Sequence, residues 1–202
     1  MTLENANPRE AFNFYPEFPS ASDALLGSGI IPPNFEVYDP ACGCGSIVRM
    51  AEKNGYHALG RDIRRGDDFL LSERSFAHLD RVVVSNPPYG TYKEGKRLEE
   101  AFVEHAFHLG ASAVFVLLPV PWVASRVFWL KKNGWCGMYV LRPRLSILPY
   151  SAMARGEWPQ GGGKDYAWYH FTKKRRRNGI DVKDLRRDLT LDTREAWTWW
   201  DE

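Results

Sequence analysis

Two uninterrupted apolar runs constrain this chain most: Val82-Val83-Val84, within Asp80–Ser85, and Val114-Phe115-Val116-Leu117-Leu118, after Ala113. A strand with one face in water alternates polar and apolar side chains. Runs without that alternation suit strands covered on both faces, as in parallel sheets. Around them, strand-like and helix-like segments take turns. Glu36–Asp39 reads as a short buried strand stopped by Pro40, Ser46–Asn54 as a helix closed by Gly55, and Tyr56–Gly60 as a second strand. Leu98–Leu109 has Phe102, Ala106 and Leu109 on one helical face and Gly110 at its end, and a further helix runs from Pro121 to Lys132, ended by Asn133-Gly134. Gly137–Ile147 and Asp165–Thr172 read as strands joined without a helix, hence an antiparallel pair. The pattern predicts an α/β fold with a mostly parallel sheet and right-handed crossovers. Such sheets bind ligands beyond the carboxyl ends of their strands, so the loops after strands should carry the chemistry.

With 202 residues and no compositional boundary, a single domain over 1–202 is expected. No run of 18 uncharged apolar residues is present, and Met1-Thr2-Leu3-Glu4 leads into no signal core, so a cytoplasmic protein with no membrane span is the expectation. The 27 basic and 25 acidic residues are unevenly placed. Residues 1–40 carry net −5, residues 142–187 net +8, and the last fifteen net −4. The basic stretch, with Arg142, Arg144, Arg155, Lys164 and the run Lys173–Arg177, could meet a polyanion, as could Lys93, Lys96 and Arg97; each alone also reads as a solvated surface charge. Oligomeric state is not legible.

The first loop is Asp39-Pro40-Ala41-Cys42-Gly43-Cys44-Gly45. Gly43 and Gly45 allow a tight turn and close approach of a ligand to the backbone. A dinucleotide fingerprint would need glycine at Val48, and a P-loop would need a lysine before Ser46. Asp39 at the strand end would repel phosphate and attract an ammonium group. S-adenosylmethionine carries an ammonium and a sulfonium and no phosphate. Asp62, 23 residues on, stands where an acid accepts hydrogen bonds from ribose hydroxyls. Asp68-Phe69 could take an adenine amino group on the carboxylate and pack the ring on the purine. Cys42 and Cys44 have no partner cluster and read as small residues lining the turn; no metal is expected.

The second loop, Asn86-Pro87-Pro88-Tyr89, follows the valine strand directly. Two prolines fix the backbone and remove two N–H donors. The carbonyls and the Asn86 side-chain oxygen are left as acceptors beside a flat tyrosine face. Two acceptors and a stacking surface suit an exocyclic amino group on a planar ring.

Together these residues resemble the S-adenosylmethionine-dependent amino-group methyltransferases, and among them the small phage and prophage type of adenine-N6 DNA methyltransferase with its Asn-Pro-Pro-Tyr motif. The resemblance covers residues from about 12 to 172, leaving 173–202 as a basic turn and a tail with Trp197, Trp199 and Trp200. It implies a Rossmann-like class I fold: a seven-stranded, mostly parallel sheet, an antiparallel terminal hairpin and helices on both faces. It implies a cofactor site of Tyr15, Asp39, Ala41, Gly43, Gly45, Asp62, Asp68 and Phe69, and catalysis by Asn86, Pro87, Pro88 and Tyr89 on adenine N6 of DNA. RNA methyltransferases and a protein-glutamine methyltransferase resemble the chain too, and a catalytically weak accessory subunit of the same fold is a further alternative. Three departures stand out. Glu17-Phe18 takes the place of a threonine-proline pair, and Glu17 would repel the cofactor's carboxylate. The stretch from Asp62 to Asp68 leaves little room for a strand. No separate target-recognition domain is evident. Trp122, Trp129 and Trp135 read as core or groove wall, and His105 with His108 as a partly exposed pair.

Overall fold

The computed structural model describes residues 14–76, 79–92, 95–158, 164–173 and 179–194. Lys93, the glycine loop 159–163, Lys174–Arg177 and the three tail tryptophans lie outside the described residues. The chain runs α1 (Pro19–Leu26), β1 (Glu36–Asp39), α2 (Ser46–Lys53), β2 (Ala58–Gly60), β3 (Arg81–Ser85), α3 (Leu98–Leu109), β4 (Ala113–Pro119), α4 (Trp122–Lys132), β5 (Trp135–Arg142), α5 (Tyr150–Ala154), β6 (Tyr166–Thr172) and β7 (Asp181–Arg186). The seven strands form one sheet in the order β2-β1-β3-β4-β6-β5-β7. β1 pairs in parallel with β2 and β3, β3 with β4, and β5 with β7; β6 runs antiparallel to both β4 and β5. A mostly parallel seven-stranded sheet with an antiparallel hairpin is therefore present.

Side-chain alternation along the strands splits the core into two layers. Val82, Val84, Phe115, Leu117 and Trp168 pack with Ala21, Leu25 and Leu26 of α1 and Ile47, Met50 and Ala51 of α2. Their neighbours Val83, Val114, Val116, Leu118, Tyr169 and Phe171 pack with Phe102, Val103, Ala106 and Leu109 of α3 and Leu130 of α4. Each fully buried Val, Leu, Ile or Phe side chain among them contributes roughly 1.5–3 kcal/mol. Trp168 brings a polar group into the first layer and satisfies it, its indole N–H donating to the Ala21 carbonyl at 2.9 Å.

Three elements depart from the sequence reading. The strand expected over 137–147 stops at Arg142, before Pro143, which has no N–H for a ladder. α1 was not anticipated, although Pro19 at its first position is a start signal. β7 was not anticipated either: Asp-Val-Lys-Asp-Leu-Arg is exposed apart from Leu185, as an outermost strand can be. The stretch between Asp62 and Asp68 holds no strand. Short 3-10 turns at Ile63–Arg65 and Phe69–Leu71 occupy that region. No helix of the described residues is long and apolar enough to cross a membrane.

A buried ion pair fastens the segment after β7 to α1. Arg187, 7% exposed, donates from Nε to Ser20 Oγ at 2.8 Å, from Nη1 to the Arg144 carbonyl at 2.8 Å, and from Nη2 to Asp192 Oδ2 at 2.6 Å. Asp192 Oδ1 accepts from Ser20 N at 3.0 Å. Residues 14–18 lead directly into α1, so this network also steadies the segment upstream of the helix. Arg187→Met should strand the Asp192 carboxylate and cost about 3–5 kcal/mol, read as a lower urea midpoint. Adding Asp192→Leu should recover most of that loss. A single variant with the wild-type midpoint would show that the pair carries no stability.

Candidate functional site

The carboxyl ends of β1 and β3 are neighbours, and the two loops picked out in the sequence leave the sheet from there. Asp39 closes β1. It is 1% exposed and accepts from Ser85 Oγ, at the end of β3, at 2.8 Å and from Ala41 N at 3.1 Å. The chain then bends through Gly43 (φ 51°) and Gly45 (φ 78°), both left-handed, the second capping α2. Gly43 is also a point of close approach. A Cβ there would come within 2.9 Å of the Phe14 ring, so the upstream segment lies on the bend only because that position has no side chain. Asp62, after β2, accepts from Gly43 N on Oδ2 at 2.9 Å and from Arg64 N and Nε on Oδ1 at 2.9 and 3.0 Å. The Arg64 guanidinium in turn lies 3.5 Å from the Phe14 ring centroid.

Asn86 is gripped from both ends. Its Nδ2 donates to the Tyr15 carbonyl at 2.8 Å and to Glu17 Oε2 at 3.2 Å. A backbone carbonyl can only accept, so the amide nitrogen must face that way and the oxygen must face the other. On that other side the Tyr89 hydroxyl lies 2.8 Å from Asn86 Oδ1 and 2.7 Å from the Leu117 carbonyl, its one proton shared between two oxygens. Burial, helped by Tyr166, Glu99 and Glu17, pushes the Tyr89 phenol well above its usual value, so it stays a donor. Asn86 Oδ1 retains a second acceptor direction.

The two loops share one cavity of about 320 Å³. Tyr15, Ala41, Gly43, Asp62, Asp68, Phe69, Asn86, Pro87, Pro88 and Tyr89 all line it. Asp39 and Gly45 do not; the first lies beneath the wall and the second heads α2. Phe69 belongs to an aromatic group with Phe102, 5.1 Å away between centroids, and Tyr38, 6.2 Å away. Asp68 caps the Phe69–Leu71 turn by accepting from Leu70 N at 3.0 Å. Glu17 also lines the cavity, at 6% exposure, where the sequence reading saw a charge that would repel. Burial raises its pKa, offset in part by its own backbone and by Asn86, Ser46 and Ser22. Cys42 and Cys44 are buried thiols in the wall, outside any disulfide, and among the described residues no group of His, Cys, Asp and Glu could hold a metal.

A second pocket of about 360 Å³ lies against the first, with Tyr15 and Tyr89 common to both. Trp122, Tyr166 and Ile147 give it apolar and aromatic walls, and Arg97 and Lys164 give it positive charge. At its base is Glu99, 1% exposed, whose Oε1 accepts from Arg97 Nε at 2.9 Å and Trp122 Nε1 at 3.1 Å and whose Oε2 accepts from Gly90 N at 3.3 Å. One carboxylate thus fixes the end of the proline loop to the starts of α3 and α4. Trp122 is groove wall, as expected from the sequence. Arg97 is thereby ion-paired with Glu99, and Arg144, Arg155 and Lys96 likewise pair with Asp165, Glu157 and Glu104. His105 and His108 stack at 6.0 Å.

No protein-family model matches the chain, and no curated protein matches it by sequence. Solved structures do. A class I S-adenosylmethionine-dependent methyltransferase from Listeria monocytogenes aligns at 17% identity over 89% of this chain and 68% of its own, with a TM-score of 0.53. The methyltransferase subunit of a type I restriction-modification system from Streptococcus thermophilus aligns at 15% over 84% and 47%, with a TM-score of 0.52. A modification subunit of a type I restriction enzyme from Vibrio vulnificus aligns at 14% over 84% and 46%, with a TM-score of 0.54. The chain spans less than half the length of those two subunits. At such identities the likeness is one of architecture, and the architecture is that of the class I, Rossmann-like methyltransferases.

Proposed function

We propose that this chain transfers a methyl group from S-adenosylmethionine to the exocyclic N6 amino group of adenine in DNA. The observation that carries the reading is the single cavity joining the glycine bend to the Asn86–Tyr89 loop, with a second chamber across Tyr15 and Tyr89. Its size falls within the usual range for small-molecule sites. Its wall suits a cationic donor and not a phosphorylated one: Glu17, Asp62, Asp67 and Asp68 face Arg64 as the one base. The aromatic and positive walls of the second chamber suit a flat base attached to a phosphate chain. The restriction-system neighbours support DNA as the acceptor.

Bound S-adenosylmethionine supplies a methyl group on positively charged sulfur; transfer breaks the C–S bond, leaves the electron pair on sulfur as S-adenosylhomocysteine, and forms a C–N bond to N6, which sheds a proton. The residues of the chain act by binding and orientation. Asp62 and Asp68 accept from the ribose hydroxyls and the adenine amino group of the donor, and Phe69 packs on its purine. Asn86 Oδ1 and the Pro87 carbonyl accept from the two hydrogens of the target amine and stabilise the positive charge that develops on it. Tyr89 and Glu17, by fixing both ends of the Asn86 amide, keep that oxygen aimed. Tyr89 offers its face to the base. Extruding a base costs a few kcal/mol, and Arg97 and Lys164 at the second chamber are placed to offset it through phosphate contacts.

Incubation with labelled donor and duplex DNA, RNA or a glutamine peptide tests the acceptor. N6-methyladenine among the nucleosides of digested DNA is the expected product, and label confined to RNA or peptide would refute the DNA assignment. Asn86→Ala should lower kcat by about 10²–10³ with donor affinity nearly unchanged, as for loss of one group stabilising transition-state charge. Wild-type turnover in that variant would remove Asn86 from the mechanism. Asp62→Ala should weaken donor binding at least roughly tenfold in calorimetry, the loss of a charge-assisted hydrogen bond. Unaltered affinity would speak against a ribose contact.

A further inference from the structure

Two carboxyl groups are buried beside the glycine bend. Asp39 is 1% exposed and Glu17 6%, and the charge of Glu17 acts on Asp39. Among the described residues neither forms a salt bridge. A buried carboxylate without a counter-ion is expensive to maintain, and two close together more so. Burial accordingly raises the pKa of Glu17 and raises that of Asp39 further. The groups around Glu17 come from several elements: Asp39 at the end of β1, Ser22 of α1, Ser46 of α2, and Asn86 and Tyr89 after β3. Asp62, Arg64, Asp67 and Asp68 complete the charged wall of the cavity, and Arg64 is already held by Asp62 and the Phe14 ring.

The two acids are not equivalent in position. Asp39 is taken up by the frame, accepting from Ser85 and Ala41, and does not reach the cavity. Glu17 reaches it. Resting on the reading of the cavity as an S-adenosylmethionine site, we propose that Glu17, and not Asp39, is the carboxylate that receives the ammonium group of the donor. The residue that distinguishes this chain from its look-alikes at that position is then a binding residue for the opposite end of the amino acid from the one it would repel. A sulfonium has no hydrogen to offer a carboxylate, whereas an ammonium has three. With the cation in place both acids can ionise, so binding of the donor releases a proton. Affinity for an amine-bearing ligand is full where Glu17 is ionised, above its raised pKa, and is lost as pH falls through it.

The full chain can be titrated calorimetrically with S-adenosylhomocysteine and with 5′-methylthioadenosine, which shares the adenosine and sulfur but lacks the amino acid. Buffers of different ionisation enthalpy count the protons released. The wild type should bind both and release a proton with S-adenosylhomocysteine alone. Glu17→Gln should weaken S-adenosylhomocysteine about tenfold to a hundredfold, abolish the proton release, and leave 5′-methylthioadenosine unchanged. Retained binding of the nucleoside also reports that the variant is folded. Equal losses for both ligands, no loss for either, or a selective loss in Asp39→Asn instead of Glu17→Gln would each overturn the assignment. A wild type that binds neither ligand would overturn the donor site itself, an outcome separable from failure at Glu17.

Discussion

β1 and β3 run side by side in parallel, and the hydrogen bond from Ser85 to the buried Asp39 joins their carboxyl ends. Everything at the site depends on that junction. It makes a glycine bend and a proline-rich loop, 41 residues apart between Gly45 and Asn86 in the sequence, leave the sheet as neighbours. The cost of hiding a carboxyl is offset in part by fixed donors, the Ser85 hydroxyl and the Ala41 amide. Asp39 therefore organises the site from outside the cavity lining.

The second layer of control is the orientation of one amide. Pro87 and Pro88 have no N–H to donate to the Asn86 oxygen. The amide is held instead by the Tyr15 carbonyl and Glu17 on the nitrogen side and by the Tyr89 hydroxyl, from the far end of the loop, on the oxygen side. The N-terminal segment is thus a part of the site's construction and not a covering over it. Its position rests in turn on the missing side chain at Gly43 and on the Arg187–Asp192 pair behind α1.

What the sequence disclosed and what it hid follow from the range of the forces involved. The valine strand, the glycine bend and Asn86–Tyr89 are local patterns, and each takes the place expected beyond a strand end. α1 was hidden because Ser20 and Ser22 are buried along with its apolar residues, which leaves no clean stripe to read, and its burial comes from α2 and Trp168. β7 was hidden because an edge strand with one buried residue has no alternation to read. The burial of Glu17 was hidden for a related reason. In sequence it is one acid among several near the start, and the groups beside it include Ser46 and Asn86, far along the chain. Asp39 looked like a ligand-facing acid because it ends a strand, yet Ser85, 46 residues on, turns it inward.

The partition between the two chambers is two side chains, Tyr15 and Tyr89, and one of them is tethered at its hydroxyl to β4. A change at either ring therefore alters both chambers together, and on the proposed function the loading of one reactant would feel the presence of the other.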